Sequence, residues 1–351
     1  MRQRFRSNST RRQVVLGGGV TAAMLALGVR AGQPVVAQDV PTSSLGWVDD
    51  LAGVTDRLRV ATTVSPISSL VRNVGGARIA LRGIVPAGVN SHTFEPAPSD
   101  AKILADADIL IANGLFLEEP TMELAEVNLP DGAATFTLAD KTISEDEWAY
   151  DFSFPEEEGK PNPHLWLNPI LAMRYAELAK DELSRLDPDN AAYYAENYAL
   201  HAALLTRLDE GIMAAAATVP EQNRKLITYH DSYAYFAPRY GFTVIGAVQP
   251  SDFAEPSPQE VAGLIDQIRA EQVPAVFGSE VFPSDVLEQI AAEAGAVYID
   301  ELRDDDPPGE AGSPENTYVG MMLKNMELMI PALGGNVDAL AGIQPWDTYL
   351  P

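Results

Sequence analysis

The sequence predicts an α/β protein of two lobes, each a parallel four-stranded sheet covered by helices, with one long backbone helix joining them. Three observations predict it. Short apolar, β-branched runs alternate with amphipathic segments along the chain, which is the pattern of parallel sheets buried between helices. That pattern occurs twice, once before about residue 187 and again after about residue 220. Between the halves, "DPDNAAYYAENYALHAALLTRLDEGIMAAAATVP" holds good helix formers and meets no proline from Asp189 until Pro220,.

In the first half the strands expected are "LRVATTV" (58–64), "IALRGIV" (79–85), "DILIANG" (108–114) and "ATFTL" (134–138). In the second they are "KLITY" (225–229), "FTVIGAV" (242–248), "AVFGSE" (275–280) and "AVYID" (296–300). Helices fit "SPISSLVRNVGG", "PSDAKILADA", "SPQEVAGLIDQIRAEQ" and "PSDVLEQIAAEAG", several led by a Ser or Asp able to cap the first turn,. A connector of roughly thirty residues would span about 45 Å as one helix, and its stiffness predicts a small interlobe motion rather than a wide hinge. The expected layout is therefore a leader over 1–37, a linker over 38–56, a first lobe over 57–186, the helix over 187–220 and a second lobe over 221–351.

The leader is read from a basic head, an apolar stretch from Val14 to Val29 and a small-residue cleavage region ending at Ala37,. Arg11 and Arg12 in "STRRQVVL" give it a twin-arginine character,. Its removal takes away six arginines and no acid, so the net charge of −26 falls to −32. Such a chain repels nucleic acid and anionic membrane surfaces and attracts cations. There is no cysteine. Disulfides and a lipid-bearing cysteine are excluded, and any metal site must use nitrogen and oxygen donors.

Only four histidines occur, and three share a setting. His92 follows a strand in "PAGVNSHTFEP"; His164 sits in "PNPHLWLNP", stiffened by prolines on both sides; His230 closes "KLITYHDSY",. Asp300 closes "AVYID" in the same way. Ligands of open α/β sheets bind beyond the carboxyl ends of strands, so these four could meet in one crevice. Three imidazoles and a carboxylate suit tetrahedral zinc. Glu280, which also ends a strand, could replace or support Asp300, and Glu95 and Asp231 are candidate partners for the outer imidazole nitrogens. His201, mid-helix in "NYALHAALL", reads as structural.

With those residues in place, the chain resembles the zinc/manganese solute-binding proteins of ABC metal importers. "HTFEPAPSDAKILADADILIANGLFLE" (92–118), "NPHLWLNP" (162–169), "TYHDSYAYFAPRYGF" (228–242) and "SPENTYVGMMLKNM" (313–326) carry the resemblance, over roughly 57 to 335. It implies a metal held at the interlobe cleft by His92, His164, His230 and Asp300. It also implies a monomeric receptor outside the cytoplasm, periplasmic or extracytoplasmic, whose partners are a permease and its ATPase. The histidine at 230 places it nearest the zinc-directed branch, so Zn2+ is the expected ion and Mn2+ the alternative. An adhesin-like role, credited to some relatives, has no signal of its own here.

Zinc-directed relatives frequently carry a histidine-rich loop before the second ligand. Here residues 144–160 hold Glu145, Asp146 and Glu147 and no histidine. Together with Asp304, Asp305 and Asp306, these acids are expected to rim the cleft and steer cations toward it. The rival class is a zinc hydrolase, which needs three protein ligands and an open water position. Four protein ligands favour holding over turnover, and no nucleophile elbow or P-loop is present.

Overall fold

The computed structural model describes residues 47–249, 256–281, 284–345 and 348–350. The expected leader and the first part of the linker, 38–46, lie outside the described residues.

Two sheets of four parallel strands form the frame. The first has the order β2-β1-β3-β4, from β1 (Leu58–Thr62), β2 (Ile79–Gly83), β3 (Ile109–Ala112) and β4 (Ala134–Thr137). The second repeats that order as β6-β5-β7-β8, from β5 (Lys225–Thr228), β6 (Thr243–Ala247), β7 (Ala275–Ser279) and β8 (Val297–Leu302). All eight strands start within a residue of the apolar runs read from the sequence. The exception in length is β8, which continues two residues past Asp300.

Both faces of each sheet are buried, which is why the strands read as continuous apolar runs. In β1, Val60 packs into a central core while Ala61 faces an outer one with Leu104, Leu110 and Ala125. The outer face of the first sheet is covered by α2 (Pro98–Ala105) and α3 (Glu119–Asn128). That of the second is covered by α7 (Pro258–Glu271) and α8 (Asp285–Ala294), through Leu264, Ile268, Leu287 and Ile290. The helices α7 and α8 start where Ser257 and Ser284 accept from the amides of Glu260 and Leu287,.

The central core is shared. It joins α1 (Ser65–Gly75), α4 (Pro169–Leu186), α5 (Ala191–Ala217) and α9 (Tyr318–Ala332) to the inner faces of both sheets. The helices α3, α4, α9 and the four-residue α6 (Ala237–Tyr240) add to those read from the sequence. The connector is α5, 27 residues long, so about 40 Å,. It begins after a turn at Pro188–Asn190 rather than at residue 187. Two side chains fix it to the two halves: Asn197 donates to the Val74 carbonyl at 2.9 Å, and Asp209 takes Arg239 in a two-pronged pair at 2.6 Å each. A shared apolar core and a pinned connector resist a wide hinge. No helix among the described residues is long and apolar enough to cross a membrane.

Candidate metal centre

The loop carrying His164 is built from the bottom of the first sheet. Beyond β3 the backbone turns through Gly114, Leu115 and Phe116 at φ +86°, +48° and +64°. Two successive non-glycine residues in the left-handed region are costly and need outside support. Glu118 supplies it by accepting from the amides of Asn113 (2.7 Å) and Gly114 (3.1 Å) and from the Thr63 hydroxyl (2.7 Å). Asn113, so fixed, donates to the Pro163 carbonyl at 3.1 Å and accepts from Tyr175 at 2.7 Å. The prolines hold the segment extended up to a short turn at Leu165–Leu167. Asn168 then caps α4, accepting from the Ile170 amide at 3.0 Å. His164 is thereby buried at the tip of an irregular, fixed loop.

His92 lies on the loop between β2 and α2, its amide donating to Asn90 at 2.8 Å. His230 is two residues past the end of β5. The three imidazoles converge. The Nε2 of His164 lies 3.1 Å from that of His92 and 3.3 Å from that of His230. The donor atoms all fall within 4.8 Å of one another, and this is the one such group among the described residues. Nitrogens bonded to zinc at about 2.0–2.1 Å in a tetrahedron are separated by about 3.3–3.4 Å, so the two closest pairs have the spacing of a coordination edge.

The outer nitrogens are held as well. Asn162 donates through Nδ2 to the Asp151 carboxylate and to the Asp231 carbonyl, both at 2.6 Å. Its Oδ1 must then be the atom facing His164, where it accepts from the amide (2.9 Å) and from Nδ1–H (2.8 Å). That fixes the tautomer and leaves the lone pair on Nε2, directed at the other two rings. Gln249 is the side-chain partner of the His230 ring. Burial lowers all three basicities: His92 and His164 fall well below the usual imidazole range, with His230 adding repulsion, and His230 falls to about 3. At neutral pH the rings are uncharged donors.

Asp300 is not brought to them. It sits inside β8, exposed, in a separate cleft with Tyr298, Ser284 and Asp285. Because β8 is an edge strand, a polar residue costs little there, and Asp300 does not end it,. Glu280 is also committed elsewhere: its carboxylate accepts the amides of Asp304, Asp305 and Asp306 at 2.8–3.2 Å.

Asp304, Asp305 and Asp306 are buried, not a solvated rim. Asp306 accepts from the Ser65 hydroxyl at 2.9 Å and from the Gly88 amide. Asp305 accepts from the amide and hydroxyl of Ser91, both at 3.1 Å, one residue before His92. Burial, with Glu280 nearby, pushes the Asp305 carboxyl up to about 7. Glu145, Asp146 and Glu147 are exposed on a short turn, as is Glu95 on its own loop. Asp231 enters through its carbonyl rather than its carboxylate. Sequence reasoning missed the side chains of Asn162, Asp151 and Gln249. Asn162 alone carried a local signal, an Asn two residues before the histidine it caps.

Two α/β lobes bridged by a helix, with rings from both lobes meeting between them, define a solute-binding protein of the two-lobed metal-receptor class. The chain belongs to the family described as zinc-uptake complex component A, periplasmic (ZnuA), which matches residues 60–332. Its relatives include the zinc-binding protein TroA of Treponema pallidum, 27% identical over 90% of this chain and 98% of that protein. The manganese-binding lipoprotein MntA of Halalkalibacterium halodurans is 29% identical over 79% and 88%. The solved structure of T. pallidum TroA superposes with a TM-score of 0.72 at 28% identity, covering 79% of this chain and 99% of that one. A cadmium-bound periplasmic metal-binding protein of Candidatus Liberibacter asiaticus superposes at 0.68 and 25% identity, covering 79% and 100%.

Proposed function

We propose that this protein captures a divalent first-row metal ion outside the cytoplasm and presents it to the permease and ATPase of an ABC importer. The observation that carries the reading is the convergence of three neutral Nε2 atoms, two from before the connecting helix and one from after it. The ion is the cargo. His92, His164 and His230 take it, and Asn162 and Gln249 hold the rings in register from behind.

Asp305 is the carboxylate we assign to the ion in place of Asp300; it stands outside the group of three converging imidazoles and must turn from Ser91 to reach the ion. It is tied to the residue preceding His92, and a carboxyl already poised near neutrality gives up its proton at little cost when a cation arrives,. Three imidazoles to one carboxylate favour zinc, since manganese prefers oxygen-rich sites. The relatives' names support a family in which the cargo varies: zinc for TroA, manganese for MntA, and iron for the Yersinia pestis protein YfeA. With Asp305 turned in, four side chains around one ion would leave no coordination position for a reacting water, which argues for holding over hydrolysis,. With no cysteine in the sequence, retention outside the cell would not rest on a lipidated cysteine such as the lipoprotein relatives' names imply.

Competitive titration of the purified chain with zinc and manganese tests the reading. One ion per chain, zinc bound tighter, and no hydrolytic turnover are expected. Binding that survives alanine at all three histidines refutes it.

A further inference from the structure

We propose that the turn Asp151–Phe154 is a lid over the metal site and that Phe154 sets how many ligands the cargo can carry and how fast it leaves. The proposal rests on the receptor reading above. Among the described residues, the Phe154 ring is the one aromatic group that stands against all three imidazoles, with centroids 5.5 Å from His92, 5.8 Å from His164 and 5.5 Å from His230. The imidazoles themselves lie 4.8–5.0 Å apart, so the four rings form a nearly regular tetrahedron around the site. Phe154 is 9% exposed. A benzene ring coordinates nothing, and the volume it fills is closed to water.

The turn is wired to the groups that hold the imidazoles. Asp151 closes it, accepting from the amides of Ser153 and Phe154 at 3.1 Å each and donating its own amide to the Phe154 carbonyl at 2.9 Å. The other carboxylate oxygen of Asp151 accepts from Asn162, which caps His164. Ser153 donates to the Gln249 carbonyl at 3.2 Å, and the Gln249 side chain is the partner of His230. Lid position and the aim of two imidazoles are therefore linked through two short chains of hydrogen bonds. The segment also borders a cleft of about 540 Å³ lined by Tyr150, Asp151, Phe152, Ala234 and Phe242, none of them an imidazole.

The consequence is selective. Zinc is content with the side chains alone, in four-coordination, whereas manganese prefers an octahedral shell that needs added oxygens, usually water. A closed apolar lid denies those waters, so it disfavours manganese and slows the ligand exchange by which zinc departs.

The test uses the full chain as wild type, Phe154→Ala and Phe154→Leu. Two quantities are read: the rate at which a chelator strips preloaded Zn2+, and the visible spectrum of the Co2+-loaded protein, whose bands are intense in four-coordination and weak in six. We expect Phe154→Ala to release zinc about tenfold faster, to lose zinc-over-manganese preference and to lose Co2+ band intensity, with Phe154→Leu intermediate. Release rate and spectrum both at wild-type values in Phe154→Ala overturn the lid; if that variant does not fold, the same result in Phe154→Leu does so. Wild-type protein that binds neither Zn2+ nor Co2+ overturns the receptor reading and the lid with it.

Discussion

Two clusters of titratable side chains are buried near one another, and they are built in opposite ways. In the imidazole cluster the donor atoms face each other, while the back of each ring supported by Asn162 or Gln249 is held by a partner outside the cluster. In the carboxyl cluster Glu280 is spent on the amides of Asp304–Asp306, and the oxygens of Asp305 and Asp306 turn outward, onto amides and hydroxyls of the loops around them. Asp305 and Asp306 thereby fasten the loop after β8 to Ser65, Gly88 and Ser91 of the first half. Equal burial leads to different work. A ligand set is recognised by lone pairs left directed at a shared point, and a dense run of charge in the sequence does not reveal that.

The comparison breaks most readily at its centre. His164→Ala should weaken zinc binding by about a thousandfold or more, measured by chelator competition, because it removes the ring whose Nε2 faces both others,. Asn162→Ala should cost about 10- to 100-fold while every coordinating residue is kept, since it frees the ring and its tautomer,. Unchanged affinity there would mean that the loop alone aims His164.

The carboxylates sharpen the contrast. Asp305→Asn should weaken zinc by about tenfold, and Asp300→Asn should leave affinity within about twofold. The reverse result would restore Asp300 to the site and discard Asp305. Neutralising Glu145, Asp146 and Glu147 together should slow zinc association by about twofold at low salt and by nothing measurable at high salt, in stopped-flow mixing,.

Acid acts on the two clusters with opposite sign. The folded imidazoles titrate below the unfolded value of about 6.5, so their contribution to stability is present above that pH and is lost as pH falls toward about 3,. Asp305 is raised from 3.8 to about 7, so the folded state gains a proton that the unfolded chain does not hold, and stability rises as pH falls through 7,. Metal-free Asp305→Asn should therefore lose stability more steeply than wild type between pH 7 and 4, by thermal unfolding. A profile parallel to wild type would mean that the buried carboxyl is not the one titrating.

The frame was legible because strands buried on both faces must be written as apolar runs, and all eight runs became strands. The three histidines were legible because each lies on a loop next to a chain reversal that proline or a strand end announces. Asp300 lies away from the imidazoles for a local reason. In an edge strand, polar residues continue the ladder, and the register slip between Phe277 and Ser279 carries β8 on to Leu302. The triple aspartate read as a solvated loop because the partners of Asp305 and Asp306 lie more than 200 residues away at Ser65, Gly88 and Ser91. No local pattern shows such pairings. Phe154 escaped notice for a related reason: two of the three rings it stands against, His92 and His230, lie far away in the sequence.

X-ray absorption on the zinc-loaded chain tests the central claim most directly. Three imidazole nitrogens at about 2.0–2.1 Å are predicted, falling to two in His230→Ala. A shell made of oxygens, with the same spectrum in wild type and variant, would contradict it.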